Sequence, residues 1–93
     1  MRFEWDPRKA ASNVHKHHVS FDEALTVFND PLARIQDDED HSINEQREII
    51  IGHSVLNRLL VICFTERAKN AIRIFSARPA TSTEREDYEE YTF

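Results

Sequence analysis

Between Arg58 and Arg85 the chain carries six basic side chains, Arg58, Arg67, Lys69, Arg73, Arg78 and Arg85, against two carboxylates, Glu66 and Glu84. Tyr88 follows close behind, and His17 lies far upstream. These residue types suit one kind of chemistry in particular. Breaking a phosphodiester from its own 2′-hydroxyl without a metal needs a group to take the hydroxyl proton, a group to protonate the leaving 5′-oxygen, and cations around the crowded phosphorus. His17, Glu66 and Tyr88 are the candidates for proton transfer; Arg67, Arg73, Arg78 and Arg85 are the candidates for charge. Trp5 could stack on a base and Lys69 could touch the backbone of a nucleic acid. The same residues have structural readings. The arginines could pair with acidic segments, Trp5 could belong to the core, and Tyr88 could be a packing residue of the last helix.

The overall charge of −5 hides a segregation that favours the chemical reading. Residues 20–48 hold two basic and nine acidic side chains, residues 49–85 six and two, and residues 86–93 none and four. A polyanion responds to the local field more than to the sum. Ninety-three residues make one domain, 1–93, with a single core. No apolar run is long enough for a membrane span and no signal peptide is evident, so a cytoplasmic location is expected. The single cysteine, Cys63, sits in an apolar run and reads as a small buried hydrophobe. His15, His17 and His18, and the run Asp37 to His41, lack the spacing of a zinc or calcium site, so neither metal nor cofactor is expected.

The elements that must position these groups follow from local pattern. Phe3 and Trp5 alternate as in a short strand. Asp6-Pro7 starts a helix whose apolar face is Ala10, Val14 and His17, ending at His17-His18. Ser20 with Glu23 forms a capping box for a second helix with the stripe Phe21, Ala24, Leu25 and Phe28. Asp30-Pro31 stops it. Leu32 to Ile35 reads as a brief strand, Gln36 to Gln46 as a solvated loop, and Glu48 to Gly52 as a further strand. The runs Leu59 to Phe64 and Ala71 to Arg78 form a hairpin about the bend Arg67 to Asn70. Thr81 with Glu84 caps a last helix carrying Tyr88 and Tyr91. The expected fold is α+β, in the order β-α-α-β-β-β-β-α, with the helices on an antiparallel sheet. In a regular strand Arg73 and Arg78 would point to opposite faces. Arg78, at the junction with the last helix, would then meet either a phosphate beside free helix N–H groups or the carboxylates of Glu84 and Asp87.

Five motifs carry a resemblance across nearly the whole chain: F-x-W-D (Phe3 to Asp6), N-x-x-K-H-x-V-S-F-x-E-A (Asn13 to Ala24), V-F-x-D-P (Val27 to Pro31), L-L-V-x-x-x-T-E-R (Leu59 to Arg67) and R-I-x-S-A-R-x-A-T-x-x-E-R-x-x-Y (Arg73 to Tyr88). In this order they resemble the BrnT toxin family. The resemblance implies a RelE-like fold and a ribonuclease toxin of a type II toxin-antitoxin pair; joined to the chemistry above, the expectation is an endoribonuclease acting without metal. The resemblance also implies a BrnA-like antitoxin partner with a ribbon-helix-helix domain, so that DNA would be met only through the antitoxin. Carried over by position, the implied site draws on Lys16, His17, Glu66, Arg67, Arg78, Arg85 and Tyr88. The chain departs from the family pattern at His18, where Gly is usual, and at Phe75, where an aliphatic residue is usual. A toxin-like fold that binds RNA or a partner without cutting is the alternative expectation.

Overall fold

The computed structural model describes residues 1–41, 45–68 and 70–92. Lys69 and part of the expected loop, 42–44, lie outside the described residues. Five strands form one sheet: β1 (Arg2–Glu4), β2 (Arg34–Asp37), β3 (Glu48–His53), β4 (Leu59–Arg67) and β5 (Ala71–Pro79), in spatial order β1-β5-β4-β3-β2. Helices α1 (Pro7–His17) and α2 (Phe21–Ala24) follow β1, and α3 (Ser82–Thr92) follows β5. The α+β class stands, but the sheet is mixed and not antiparallel. β1 runs parallel to β5, pairing Phe3 with Ile72, because α1 and α2 carry the chain back across the sheet before β2 begins. β2 also extends two residues beyond the expected Ile35, since pairing with β3 holds Asp37 opposite Glu48.

The helix starts follow the sequence signals. Asp6 Oδ1 accepts from Arg8 N–H at 2.8 Å ahead of Pro7, and Ser20 Oγ accepts from Glu23 N–H at 3.0 Å. The face that α1 buries includes the expected Ala10 but centres on Asn13 in place of Val14. Val14 is 45 % exposed, whereas Asn13 is buried. Its amide donates to Val19 O and Ala77 O at 2.8 Å each, and its Oδ1 accepts from Ala77 N–H at 3.1 Å. β1 covers only the start of β5, so the upper part of β5 is a sheet edge. The Asn13 amide supplies there the donor and acceptor that a neighbouring strand would.

α2 is a single turn continued by a 3-10 segment, Leu25–Asn29, so the apolar stripe is carried by two kinds of helix. Val19, Phe21, Ala24 and Val27 pack on Ile50, Leu60, Ile62, Phe64, Ile72, Ile74 and Ala77, the core of the domain. Glu23 does not reach back to complete its capping box. It is drawn away to Arg58, whose Nε donates to Glu23 Oε2 at 2.9 Å and whose Nη2 bonds Glu23 Oε1, while Ser54 Oγ donates to Oε2 at 2.7 Å. Arg58 Nη2 also donates to His18 O at 3.0 Å, clamping the turn after α1. There His18 has φ 58°, the left-handed conformation for which glycine is favoured.

Candidate functional site

One irregularity in the sheet decides where the arginines point. Along β4 and β5 the pairing runs Val61 with Arg78, Ile62 with Ala77 and Cys63 with Ser76, then jumps to Phe64 with Ile74. Phe75 is therefore an extra residue in β5, a bulge opposite Cys63. Each side of the bulge keeps its own alternation, but the two are shifted by one. Ile72, Ile74 and Ala77 all reach the core. Arg73, opposite Thr65, and Arg78, opposite Val61, share the face turned away from α1 and α2, because Thr65 and Val61 are four apart on a regular β4. The expectation of opposite faces assumed a regular strand, and the bulge removes that premise.

This open face carries two adjoining depressions with Ile49 and Val61 as common floor. The first, of about 390 Å³, is bounded by Lys9, Asp38, Asp40, Arg47, Phe75 and Arg78. The second, of about 240 Å³, is bounded by Arg34, Gln36, Ile51, Glu84, Asp87 and Tyr88. Arg78 and Glu84 stand between them in a forked pair, Nη1 to Oε1 at 2.7 Å and Nη2 to Oε2 at 2.8 Å. Glu84 is further held by the capping box of α3: Thr81 N–H donates to its Oε1 at 2.8 Å, and its own N–H donates to Thr81 Oγ1 at 3.2 Å. The hydrogen bond from Arg78, helped by Thr81 against the cost of burial, lowers the Glu84 pKa to about 2 and raises that of Arg78. The salt-bridge reading of Arg78 is thus realised in the structure, and two amides at the start of α3 are engaged by the cap.

The other expected site residues separate. Tyr88 is buried to 3 % exposure and lines the second depression, with its hydroxyl 3.4 Å from Asp30 Oδ2 and 3.3 Å from Leu32 O. Its ring meets His53 edge-on at 5.6 Å. Burial works to raise the Asp30 pKa, but N–H donors from His53 and Leu32, with the nearby His53 imidazole and the Tyr88 hydroxyl, together hold it low. Arg85 is exposed and faces Glu89 at 3.9 Å. Glu66 and Arg67 are exposed at the far end of β4, opposite Ile72 and Ala71. Five strand steps carry the chain from Val61 to Glu66, roughly 17 Å at the strand rise, so neither shares a site with Arg78. Arg67 pairs instead with Glu45 at 3.7 Å. Lys16 is exposed and His17 half-buried at the end of α1, and neither lines the depressions. Trp5 packs edge-on against Phe21 at 5.7 Å, on the border of the core. Arg73 donates to Glu4 Oε2 at 3.1 Å, tying β5 to β1.

The structure adds residues that the sequence reading passed over. The Arg47 guanidinium carbon lies over the Phe75 ring, 3.9 Å from its centroid, and the Lys9 ammonium is 5.3 Å from the same centroid. Arg47 was legible in principle, because it shares alternation parity with Ile49 and Ile51, but it fell between the expected loop, Gln36 to Gln46, and the strand expected from Glu48. Asp38, assigned to solvent as part of that loop, is 7 % exposed, and Cys63 Sγ donates to its Oδ2 at 3.4 Å. Burial, reinforced by that carboxylate, pushes the Cys63 thiol up to about 11, so it stays protonated. Glu48 is also raised, by burial and then by the neighbouring Glu66 and Asp37.

Residues 5–84 match the model of the family described as the ribonuclease toxin, BrnT, of the type II toxin-antitoxin system. The fold is similar to that in the 1.1 Å crystal structure of the Brucella abortus ribonuclease toxin BrnT, with a TM-score of 0.70. The match has 20 % sequence identity and covers 88 % of this chain and 99 % of that one. No curated protein matches the chain.

Proposed function

The chain belongs to the BrnT family of ribonuclease toxins of type II toxin-antitoxin systems, and from that premise we propose that the open-face depressions are where it cleaves single-stranded RNA, without a metal ion. The observation that carries this reading is the placement of Arg78. It stands at the junction of the two depressions, on a face to which Lys9, Arg34 and Arg47 also contribute, in a protein of net charge −5. A phosphate seated there meets Arg78 in the bidentate geometry that Glu84 now occupies. The substrate therefore competes with Glu84 for the guanidinium. The ribose 2′-oxygen attacks phosphorus, its proton leaves to a base, and the 5′-oxygen departs with a proton from an acid, giving a 2′,3′-cyclic phosphate and a 5′-hydroxyl. Of His17, Glu66 and Tyr88, Tyr88 alone lines the depressions, so its hydroxyl, oriented by Asp30, gives its proton to the 5′-oxygen and regains one from solvent, while the 2′-hydroxyl proton leaves to water. Glu66, Arg67, Lys16, Arg85 and Trp5 then have no part in the bond-breaking step.

An antitoxin silences the enzyme by covering this face, where Lys9, Arg34, Arg47 and Arg78 stand among Asp38, Asp40, Glu84 and Asp87, a ribbon-helix-helix partner of the BrnA kind being the one the family motifs imply, with DNA reached through it. Cleavage of a labelled single-stranded RNA in excess chelator tests the proposal. Arg78→Ala should lower the rate about 10²–10³-fold, the order of magnitude for removing a donor aimed at developing charge, and Arg78→Lys should recover only part of it. Normal cleavage by Arg78→Ala, or loss of wild-type cleavage in chelator, refutes it. One observation favours a second reading, in which the fold binds RNA or a partner without cutting: Glu84 fills the Arg78 fork. Growth arrest on expression, relieved by a cognate antitoxin and abolished by Arg78→Ala, separates cutting from mere binding.

A further inference from the structure

The depression beside Arg78 is built unlike a simple phosphate pocket. Its wall is Phe75, the extra residue of the bulge, and the bulge is what turns that ring onto the open face. The Arg47 guanidinium carbon sits over the ring, 3.9 Å from its centroid, so the ring backs this cation, and the Lys9 ammonium lies 5.3 Å from the same centroid. Asp38 and Asp40 border the same space. Asp38 is held in place by its backbone N–H to Arg47 O at 2.9 Å and by the Cys63 thiol. A flat delocalised cation backed by an aromatic ring is a stacking platform for an unpaired base. Cations at its sides suit the flanking phosphates. Carboxylates at its rim accept hydrogen bonds and give none, so they select bases by their donors.

We infer that this depression receives a guanine of single-stranded RNA, stacked on the Arg47 plane over Phe75, with its N1–H and N2 amino group turned to the Asp38 and Asp40 carboxylates. Guanine presents two parallel donors on one edge, the match for a carboxylate. Cytosine and adenine present one amino group beside an acceptor nitrogen, and uracil sets two carbonyls around its single N–H, which carboxylates repel. The inference rests on the reading of this face as an RNA-cleaving site, with Arg78 taking the phosphate next to the base.

The unaltered protein is given a pool of random single-stranded RNA and the cut positions are mapped, and the kinetics are then compared on one RNA made with guanosine or with inosine, which lacks the N2 amino group. Guanosine should be enriched at one fixed position beside the cut, and inosine should raise KM about tenfold, the scale of one charge-assisted hydrogen bond. Asp40→Asn, at an exposed position, should narrow the guanosine–inosine gap while its unfolding midpoint stays put, and Phe75→Leu should raise KM for both RNAs. Cutting without guanosine enrichment, or an unchanged KM on inosine RNA, overturns the subsite and leaves the cleavage site standing. Absence of any cutting overturns the cleavage reading instead. Binding of 2′-O-methyl oligonucleotides then judges the subsite alone, tighter binding of guanosine than inosine supporting it and equal affinity overturning it.

Discussion

Replacing Glu84 by Gln should make the protein less stable and its grip on RNA tighter, and the size of the first effect can be worked from the structure. The Glu84 pKa falls from an ordinary 4.5 to about 2, chiefly through Arg78. At roughly 1.4 kcal/mol per pH unit this depression corresponds to about 3 kcal/mol. About a third of each side chain is in solvent, so screening reduces the contribution to about 1–2 kcal/mol. Because the folded pKa is the lower one, this stability is present in full above pH 4.5 and is lost as the pH falls toward 2. Urea unfolding of wild type and Glu84→Gln should therefore differ by about 1–2 kcal/mol at pH 7, roughly 4–16 °C in Tm for a domain of this size, and converge near pH 2. In parallel, an uncleavable RNA should bind the variant more tightly at pH 7, since the Arg78 fork no longer has a carboxylate to leave. A stability gap that persists unchanged at pH 2 refutes the electrostatic account. Unchanged or weaker RNA binding refutes the competition between Glu84 and phosphate.

Three further outcomes follow from particular contacts. Asn13→Ala removes three buried hydrogen bonds and strands the Ala77 backbone at the sheet edge, so chemical denaturation should show a loss of about 2–4 kcal/mol. His18→Gly relieves a left-handed residue at φ 58° while keeping the carbonyl that Arg58 holds, and should raise stability by about 0.5–1 kcal/mol in the same assay. Gly52→Ala would place a Cβ 2.8 Å from Ala33 Cβ and 2.9 Å from Asp30 Oδ2. Overpacking of about 1–3 kcal/mol is expected, together with displacement of Asp30, which should appear as a change in the Tyr88 ring signals by NMR.

Which parts of this protein were legible before folding depends on the range of the interaction concerned. The helix starts at Pro7, Phe21 and Ser82, the hairpin of β4 and β5, and the capping of Glu84 by Thr81 were readable because each rests on residues within about four positions of one another. At His18 it was the departure from the glycine usual in the family that marked the position now found at φ 58°. The family motifs likewise pointed to the ribonuclease toxins before any site geometry was known. The burial of Asn13 and Glu23 was not readable, since their partners Ala77 and Arg58 lie 64 and 35 positions away. Nor was the parallel pairing of β1, which depends on where two helices return the chain.

For the candidate site the division is sharper. Residue types told that Arg78 and Tyr88 could handle a phosphate and a proton, and strand alternation told which neighbours share a face, provided the count of residues per strand was right. Whether the count is right is a property of two strands at once: a bulge at Phe75 exists only as a mismatch with Cys63 across the ladder. That single extra residue brings Arg73 and Arg78 to one face and turns Phe75 toward Arg47. The chain by itself determined the chemistry available and the order of its elements, because those are local. Pairing register, which no local rule contains, decided which of the charged groups meet around the open face and which, like Glu66 and Arg67, stand a sheet's length away.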